Sequence, residues 1–131
     1  MGYTVDDILL PLAITVVIDH KVKTPEKTAF LTQAKGLLEL FGMPAMDDKA
    51  LMAWFNDHAD GLEEQLSGKR KNTLILKALT RFKKDVEVEN IFDAMVAISI
   101  CDNEYVVDES ELIKSAATIW GFLRPPIKVK R

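Results

Sequence analysis

Apolar residues recur at intervals of three and four positions along most of the chain, which is the period of an amphipathic α-helix. Glycine and proline, the residues that interrupt helices most strongly, number 6 and 5 among the 131 residues. Long helical segments can therefore follow one another with short connections. The pattern predicts an all-α fold, a single compact bundle of about seven helices.

Capping signals place the boundaries of these helices. Thr4, followed three residues later by Asp7, has the spacing of a capping box and begins the first helix, which extends to about residue 19. Thr24 and Pro25 form an N-cap and N1 pair that begins the second helix, and Gly42 ends it. Further helices are predicted from Asp47 or Asp48, after an Asp60-Gly61 turn, and over Asn72 to Lys84, Val88 to Cys101 and Asp108 to Leu123.

Two segments of 14 residues, VIDHKVKTPEKTAF and ICDNEYVVDESELI, are similar at a spacing of 83 residues. Asp19 aligns with Asp102 and Glu26 with Glu109, so each segment predicts a helix, an acidic turn and a second helix. Two such helix pairs, related by a rotation close to two-fold, would pack into one pseudo-symmetric bundle. The core positions of the second helix also align: Phe30, Ala34 and Leu37 with Ile113, Ala117 and Trp120.

The repeat divides the single predicted domain, residues 1–131, into four parts. These are repeat 1 at about 4–42, middle helices at about 47–84, repeat 2 at about 86–123 and a basic tail at 124–131. Packing of the two repeats against each other predicts a shared core. Its residues should include Phe30, Leu37, Ile98, Ile113 and Trp120.

Both acidic turns share the pattern Asp-x-x-apolar-x-x-x-Glu, as DHKVKTPE at residues 19–26 and as DNEYVVDE at residues 102–109. A small acidic helical chain with this pattern twice between helices resembles the TerB-like family of tellurite-resistance proteins. The family commonly has glycine at the second position, where this chain has His20 and Asn103, two residue types that tolerate left-handed backbone. The resemblance implies a cytoplasmic stress-response domain that binds a divalent cation and acts at a membrane-associated complex, peripheral to the inner membrane face.

Hard divalent cations take several oxygen ligands at one point, and an acidic turn between helices can supply carboxylates from both of its flanks. An EF-hand is excluded because Val107 and Ile113 stand where its loop requires glycine and a bidentate glutamate. In the alternative interpretation these carboxylates only cap helices and offset the positive end of the helix dipole. The candidate metal ligands are Asp19, Glu26, Asp102, Glu104, Glu109 and Glu111.

A basic segment offers a second candidate for function. Residues 69–84 contain seven basic residues and no acidic one. On a helix, Lys77, Arg81 and Lys84 would form one basic stripe opposite an apolar stripe, which is typical of a face that meets an acidic protein or an anionic lipid. The alternative is a core helix with a solvated outer side. Nucleic acid is excluded as a partner because no aromatic residue is interleaved with the stripe and the whole chain is acidic, with a net charge of -3.

The remaining sequence features narrow the functional classes further. A single cysteine, Cys101, excludes an internal disulfide and a CxxC zinc site and favours the reducing cytoplasm. The longest apolar run, Ile8 to Ile18, has about half of the roughly 20 residues that a transmembrane helix needs. His58 lies between Asp57 and Asp60, a spacing that fits a solvated helix end better than a metal site. No catalytic motif is present, so the chain is predicted not to be an enzyme.

Overall fold

The computed structural model describes residues 3–18, 24–69, 71–82, 84–100 and 107–119. All regular structure in these ranges is α-helical, which confirms the predicted all-α class for the described part of the chain. The helices of these ranges are α1 (Val5–Val17), α2 (Thr24–Leu40), α3 (Asp48–Ser67), α4 (Lys71–Leu79), α5 (Asp85–Ser99) and α6 (Val107–Ile119).

α1 is the central helix of the bundle. Of its 13 residues, 9 are buried, and it packs against α2, α3, α4 and α5. A helix that is apolar on nearly all sides is stable in water only when other helices surround it. Within the described residues, no helix is both long and apolar enough to cross a membrane.

The N-terminus of α1 has the capping box that the sequence predicts. The Thr4 hydroxyl accepts a hydrogen bond from the Asp7 N–H at 3.1 Å, and the Asp7 carboxylate accepts one from the Thr4 N–H at 3.0 Å. The helix continues through Pro11, which has no N–H to donate within it. The buried hydroxyl of Thr15 donates to the Pro11 carbonyl oxygen at 2.8 Å, so this polar group is satisfied inside the core.

The predicted end of the second helix is confirmed in detail. Gly42 has a φ of +72°, the left-handed conformation that side chains disfavour, and its N–H donates to the Glu39 carbonyl oxygen at 3.1 Å. The next N–H, of Met43, donates to the Leu38 carbonyl oxygen at 2.8 Å. These two bonds form a Schellman motif, which satisfies carbonyl groups that the end of α2 would otherwise leave unpaired.

The predicted helix break at Asp60-Gly61 is wrong. α3 runs without interruption from its N-cap at Asp47 to Ser67, so two predicted helices are one. A glycine inside a helix costs about 1 kcal/mol relative to alanine. Leu62 and Leu66 continue the buried face that Phe55 begins, and their burial outweighs this cost because each buried leucine contributes roughly 1.5–3 kcal/mol.

The predicted helix over Asn72 to Lys84 is wrong at its C-terminal end. α4 ends at Leu79, and the Thr80 hydroxyl donates to the carbonyl oxygen four residues earlier at 2.8 Å. Phe82 is buried after the helix has ended, and Lys84 is the N-cap residue of α5. Burial of Phe82 requires the chain to turn away from the helix axis, so the basic segment is divided between two helices and the turn that joins them.

Phe82 belongs to an aromatic cluster that it forms with Tyr3 and Phe41. The ring centroid of Tyr3 lies 5.7 Å from that of Phe41 and 4.9 Å from that of Phe82. The Tyr3 hydroxyl also donates to the Glu87 carboxylate at 2.6 Å. The cluster therefore joins the N-terminal residues to the end of α2, the α4–α5 turn and the first turn of α5.

The two helix pairs of the predicted repeat each pack as a pair, α1 on α2 and α5 on α6. Phe30, Leu37, Ile98 and Ile113 are buried as predicted, whereas Trp120 lies outside the described residues. The surroundings of the pairs differ, because α2 also packs against α5 while α6 also packs against α4. The two-fold relation between the pairs stays a prediction.

The glycine inside α2 and the glycine just after its C-terminal end should respond to alanine in opposite directions. Gly36 lies inside α2 and a Cβ atom there would meet nothing within 4 Å, so Gly36→Ala should raise the free energy of unfolding by about 1 kcal/mol. Gly42→Ala should lower it by about 1 kcal/mol because of the left-handed φ. Urea denaturation followed by circular dichroism measures both. Equal effects of the two substitutions would contradict the assigned end of α2.

Alkaline pH should weaken the contact between Tyr3 and Glu87. The hydrogen bond to Glu87, with burial and the negative charges of Glu87 and Asp7, raises the pKa of Tyr3 from 10.0 to about 12. Since folding favours the protonated phenol, this contact contributes stability that is fully present below pH 10.0 and is lost as the pH rises to about 12. Tyr3→Phe should remove this part of the pH dependence of unfolding.

Absorbance titration gives the direct measurement. The chain has 2 tyrosines, so the difference between the wild-type titration and that of Tyr3→Phe isolates the Tyr3 phenol. A difference curve with its midpoint at the ordinary tyrosine pKa would contradict the contact.

Candidate functional site

α4 and α6 lie side by side and leave an open groove of about 400 Å³ between them. α4 buries Ile75, Ala78 and Leu79 against the core, and this orientation leaves Leu76 at the groove with 49% of its surface exposed. Among the described residues Leu76 is one of four large apolar side chains that are exposed, with Leu40, Val86 and Ile100, and it is the one of these four that lines the groove. The groove is lined by Asn72, Ile75, Leu76, Lys114, Ser115, Thr118 and Ile119.

α6 forms the other wall of the groove. Its buried face carries Leu112, Ile113, Ala116 and Ala117. Among the α6 residues whose side chains are described, Lys114, Ser115 and Thr118 are exposed, and two of these are short hydroxyl residues. Short side chains leave the space between the helices open, and their hydroxyls can both donate and accept hydrogen bonds.

One charged residue, Lys114, is among the residues that line the groove. Lys71 and Lys77 of α4 are not among them. The groove therefore combines apolar and short polar side chains with one lysine.

The three basic residues predicted to bind a partner are not on one helix face. Lys77 lies on α4, Arg81 lies in the α4–α5 turn, and Lys84 is the N-cap residue of α5. The Arg81 guanidinium is paired with Asp7, at 3.2 Å between Nε and Oδ1. The structure thus brings Arg81 to the start of α1, and none of these three residues is among those that line the groove.

Sequence reasoning missed the groove itself. It predicted an apolar stripe opposite Lys77, Arg81 and Lys84 and did not consider Leu76. Leu76 is the signal that could have indicated it, since it is an apolar residue on the polar side of α4. The α6 wall could not have been inferred, because periodicity does not say which helices are neighbours.

The acidic turns are only partly described. Asp19, Asp102 and Glu104 lie outside the described residues, and Glu109 and Glu111 lie on α6 with side chains outside the described part. Glu26 lies in the first turn of α2, and its surface is 2% exposed. Among the residues that the structure describes, no group of three or more His, Cys, Asp or Glu side chains is placed to hold a metal ion.

His58 does not lie at a helix end, as the sequence suggested, but inside α3. Its ring stacks on Trp54 at a centroid distance of 4.2 Å, and its Nδ1 lies 2.7 Å from the Trp54 carbonyl oxygen. A carbonyl oxygen can only accept, so Nδ1 carries the proton of this hydrogen bond. The Trp54 indole in turn donates to Asp6 at 2.7 Å, so these side chains join α3 to the start of α1.

Comparison with protein-family models, with curated proteins and with solved structures gives no match to this chain. The resemblance to the TerB-like family stays a prediction carried by the two acidic turns.

Proposed function

We propose that this chain is a non-enzymatic helical interaction domain that docks a partner protein in the groove between α4 and α6. The observation that carries the proposal is Leu76, a large apolar side chain that is half exposed in a concave place that Lys114 also lines. Protein interfaces commonly combine an apolar centre, which loses its contact with water on binding, with a polar rim that remains wet.

The proposal moves the partner-binding surface away from the residues that the sequence predicts. Arg81 is already paired with a carboxylate of α1, and a paired charge attracts a partner less. Lys77 and Lys84 are not among the residues that line the groove, whereas Lys114 is. The docking surface is thus defined by Leu76 and Lys114.

Site-specific cross-linking tests this function. Benzoylphenylalanine introduced at position 76 should cross-link in cells to one protein that mass spectrometry identifies. The matched control is position 40, because Leu40 is 65% exposed and lies on α2, which does not line the groove. The product should weaken when Lys114→Gln is added. No product from position 76, or the same products from both positions, would contradict the proposal.

A second candidate function is divalent-cation binding by the acidic turns, as the resemblance to the TerB-like family implies. The observation that supports it is the pattern Asp-x-x-apolar-x-x-x-Glu, which the sequence has at residues 19–26 and again at residues 102–109. Carboxylates on both flanks of a turn are the oxygen ligands that hard divalent cations take. The proposal includes the two-fold repeat, in which the turn at Asp102 and Glu109 is equivalent to the turn at Asp19 and Glu26.

Titration of the metal-free protein with Ca²⁺, Mg²⁺, Zn²⁺ and Mn²⁺ separates a cation site from helix caps. If the turns bind a cation, Asp102→Asn with Glu109→Gln should abolish the ion-induced amide shifts at the second turn and leave the circular dichroism nearly unchanged. If these carboxylates are only helix caps, the variant should lose about 1 kcal/mol of stability per lost cap, and the added ion should cause no amide shifts even in the wild type. Asp19→Asn with Glu26→Gln should do the same at the first turn.

The control for this titration neutralises two exposed acids of α3, Asp57→Asn with Glu64→Gln. This variant should bind the ion as the wild type does. Saturable binding that survives both turn variants would exclude the acidic turns as the site.

A further inference from the structure

The connection between α2 and α3, residues 41–47, contains two of the five methionines of the chain. Met43 and Met46 are partly buried against the core, and both line a cavity of about 370 Å³. We infer that these two methionines are an oxidation site for peroxides, and that conversion of their thioethers to sulfoxides loosens the junction of α2 and α3. The described lining of this cavity shares no residue with the groove between α4 and α6, so the site is independent of the proposed function.

Both methionines stand at positions whose side chains fix the ends of helices. Met43 follows Gly42 in the Schellman motif, where an apolar side chain typically packs back on the last turn of the helix. Met46 directly precedes Asp47, the N-cap residue of α3. An apolar residue at that position typically packs on the fourth residue of the helix, which here is the buried Leu51. The connection therefore has an oxidisable side chain at each of its two helix ends.

The cavity gives a peroxide access to these side chains. Lys35 and Glu39 of α2 and Ala45 of the connection also line it, and all three are exposed, so the cavity opens to solvent. In the reaction with hydrogen peroxide, the thioether sulfur attacks one peroxide oxygen and the O–O bond breaks. The attacked oxygen stays on sulfur, and its proton moves to the other oxygen, which leaves as water. The sulfur loses two electrons and the peroxide gains them.

Oxidation weakens the junction in two ways. A sulfoxide is polar, so it is less stable than a thioether in a position packed against apolar side chains. The second effect involves Lys35, which lines the cavity and forms an ion pair with Asp48 of α3. A sulfoxide oxygen in the cavity can accept a hydrogen bond from the Lys35 ammonium and so compete with Asp48 for it. Oxidation thus acts on the packing of both helix ends and on the ion pair that joins the two helices.

The first test compares rates of oxidation within the folded chain in dilute hydrogen peroxide. Met95 of α5 has no exposed surface, so peroxide reaches it only when the fold opens locally. Trypsin releases Met43 and Met46 together on residues 36–49 and Met95 on residues 85–114, so mass spectrometry follows them separately. Residues 36–49 should gain two oxygen atoms at least about tenfold faster than Met95 gains one. Equal rates would overturn the site.

The second test measures the loosening by amide hydrogen exchange of the ¹⁵N-labelled chain. The N–H groups of Gly42, Met43 and Ala50 donate the hydrogen bonds that close the two helix ends. After oxidation they should exchange roughly fivefold faster, the factor that corresponds to the loss of one capping interaction. The Gly68 N–H, at the other end of α3, should exchange as before. Oxidation of both methionines without faster exchange at the connection would overturn the loosening.

Reduction shows whether the change is a switch. Methionine sulfoxide reductases of both epimer specificities, supplied with a thiol, should return the exchange rates to those of the untreated chain. Rates that stay high after the sulfoxides have been reduced would assign the loosening to irreversible damage and overturn the switch.

Variants assign the loosening to the two methionines. Met43→Leu with Met46→Leu keeps the apolar volume, so the variant should have the wild-type circular dichroism and should not loosen in peroxide. The matched control is Met52→Leu, which replaces a partly buried methionine of α3 that is not among the residues that line the cavity. This control should loosen as the wild type does. Loosening that persists in the double variant, or that Met52→Leu abolishes, would overturn the assignment, and the first two tests need no substitution.

Discussion

Burial of α1 is the constraint on which the other helices depend. Its sequence is apolar on nearly every side, so it can exist in water only if helices cover it in all directions. α2, α3, α4 and α5 provide this cover. Two polar contacts with other parts of the chain lie at its N-terminal end, where Asp6 accepts from Trp54 of α3 and Asp7 pairs with Arg81. These contacts orient α1 relative to its neighbours and add little to the free energy of unfolding, because a surface ion pair contributes at most about 1 kcal/mol.

The groove is a result of how α1 is covered. α4 turns its apolar side towards α1, whereas α6 packs mainly on α5 and meets α4 over a short length. Because α4 and α6 pack mainly against different helices, they do not pack tightly against each other. Leu76 remains exposed for this reason, and Lys114 of α6 lines the same groove.

Local signals in the sequence predicted the parts of the fold that local interactions determine. The capping box at Thr4 and the glycine that ends α2 involve residues within five positions of each other, and both have the predicted geometry. The errors arose where distant packing opposes local preference. Gly61 indicated a turn, but the buried leucines of α3 keep it helical, and α4 ends early because Phe82 is buried against residues from the opposite part of the chain. The groove needs two helices that are distant in sequence, so no local pattern could predict it.

The position of α1 also has a consequence for synthesis of the chain. α1 is completed at Val17, but its neighbours α4 and α5 begin only at Lys71 and Asp85. While translation proceeds from the N-terminus, the apolar surface of α1 therefore emerges long before two of the four helices that cover it. A nascent chain that ends within α3 has to shield this helix with transient contacts or with a chaperone. The core can be completed only after the later helices have been synthesised.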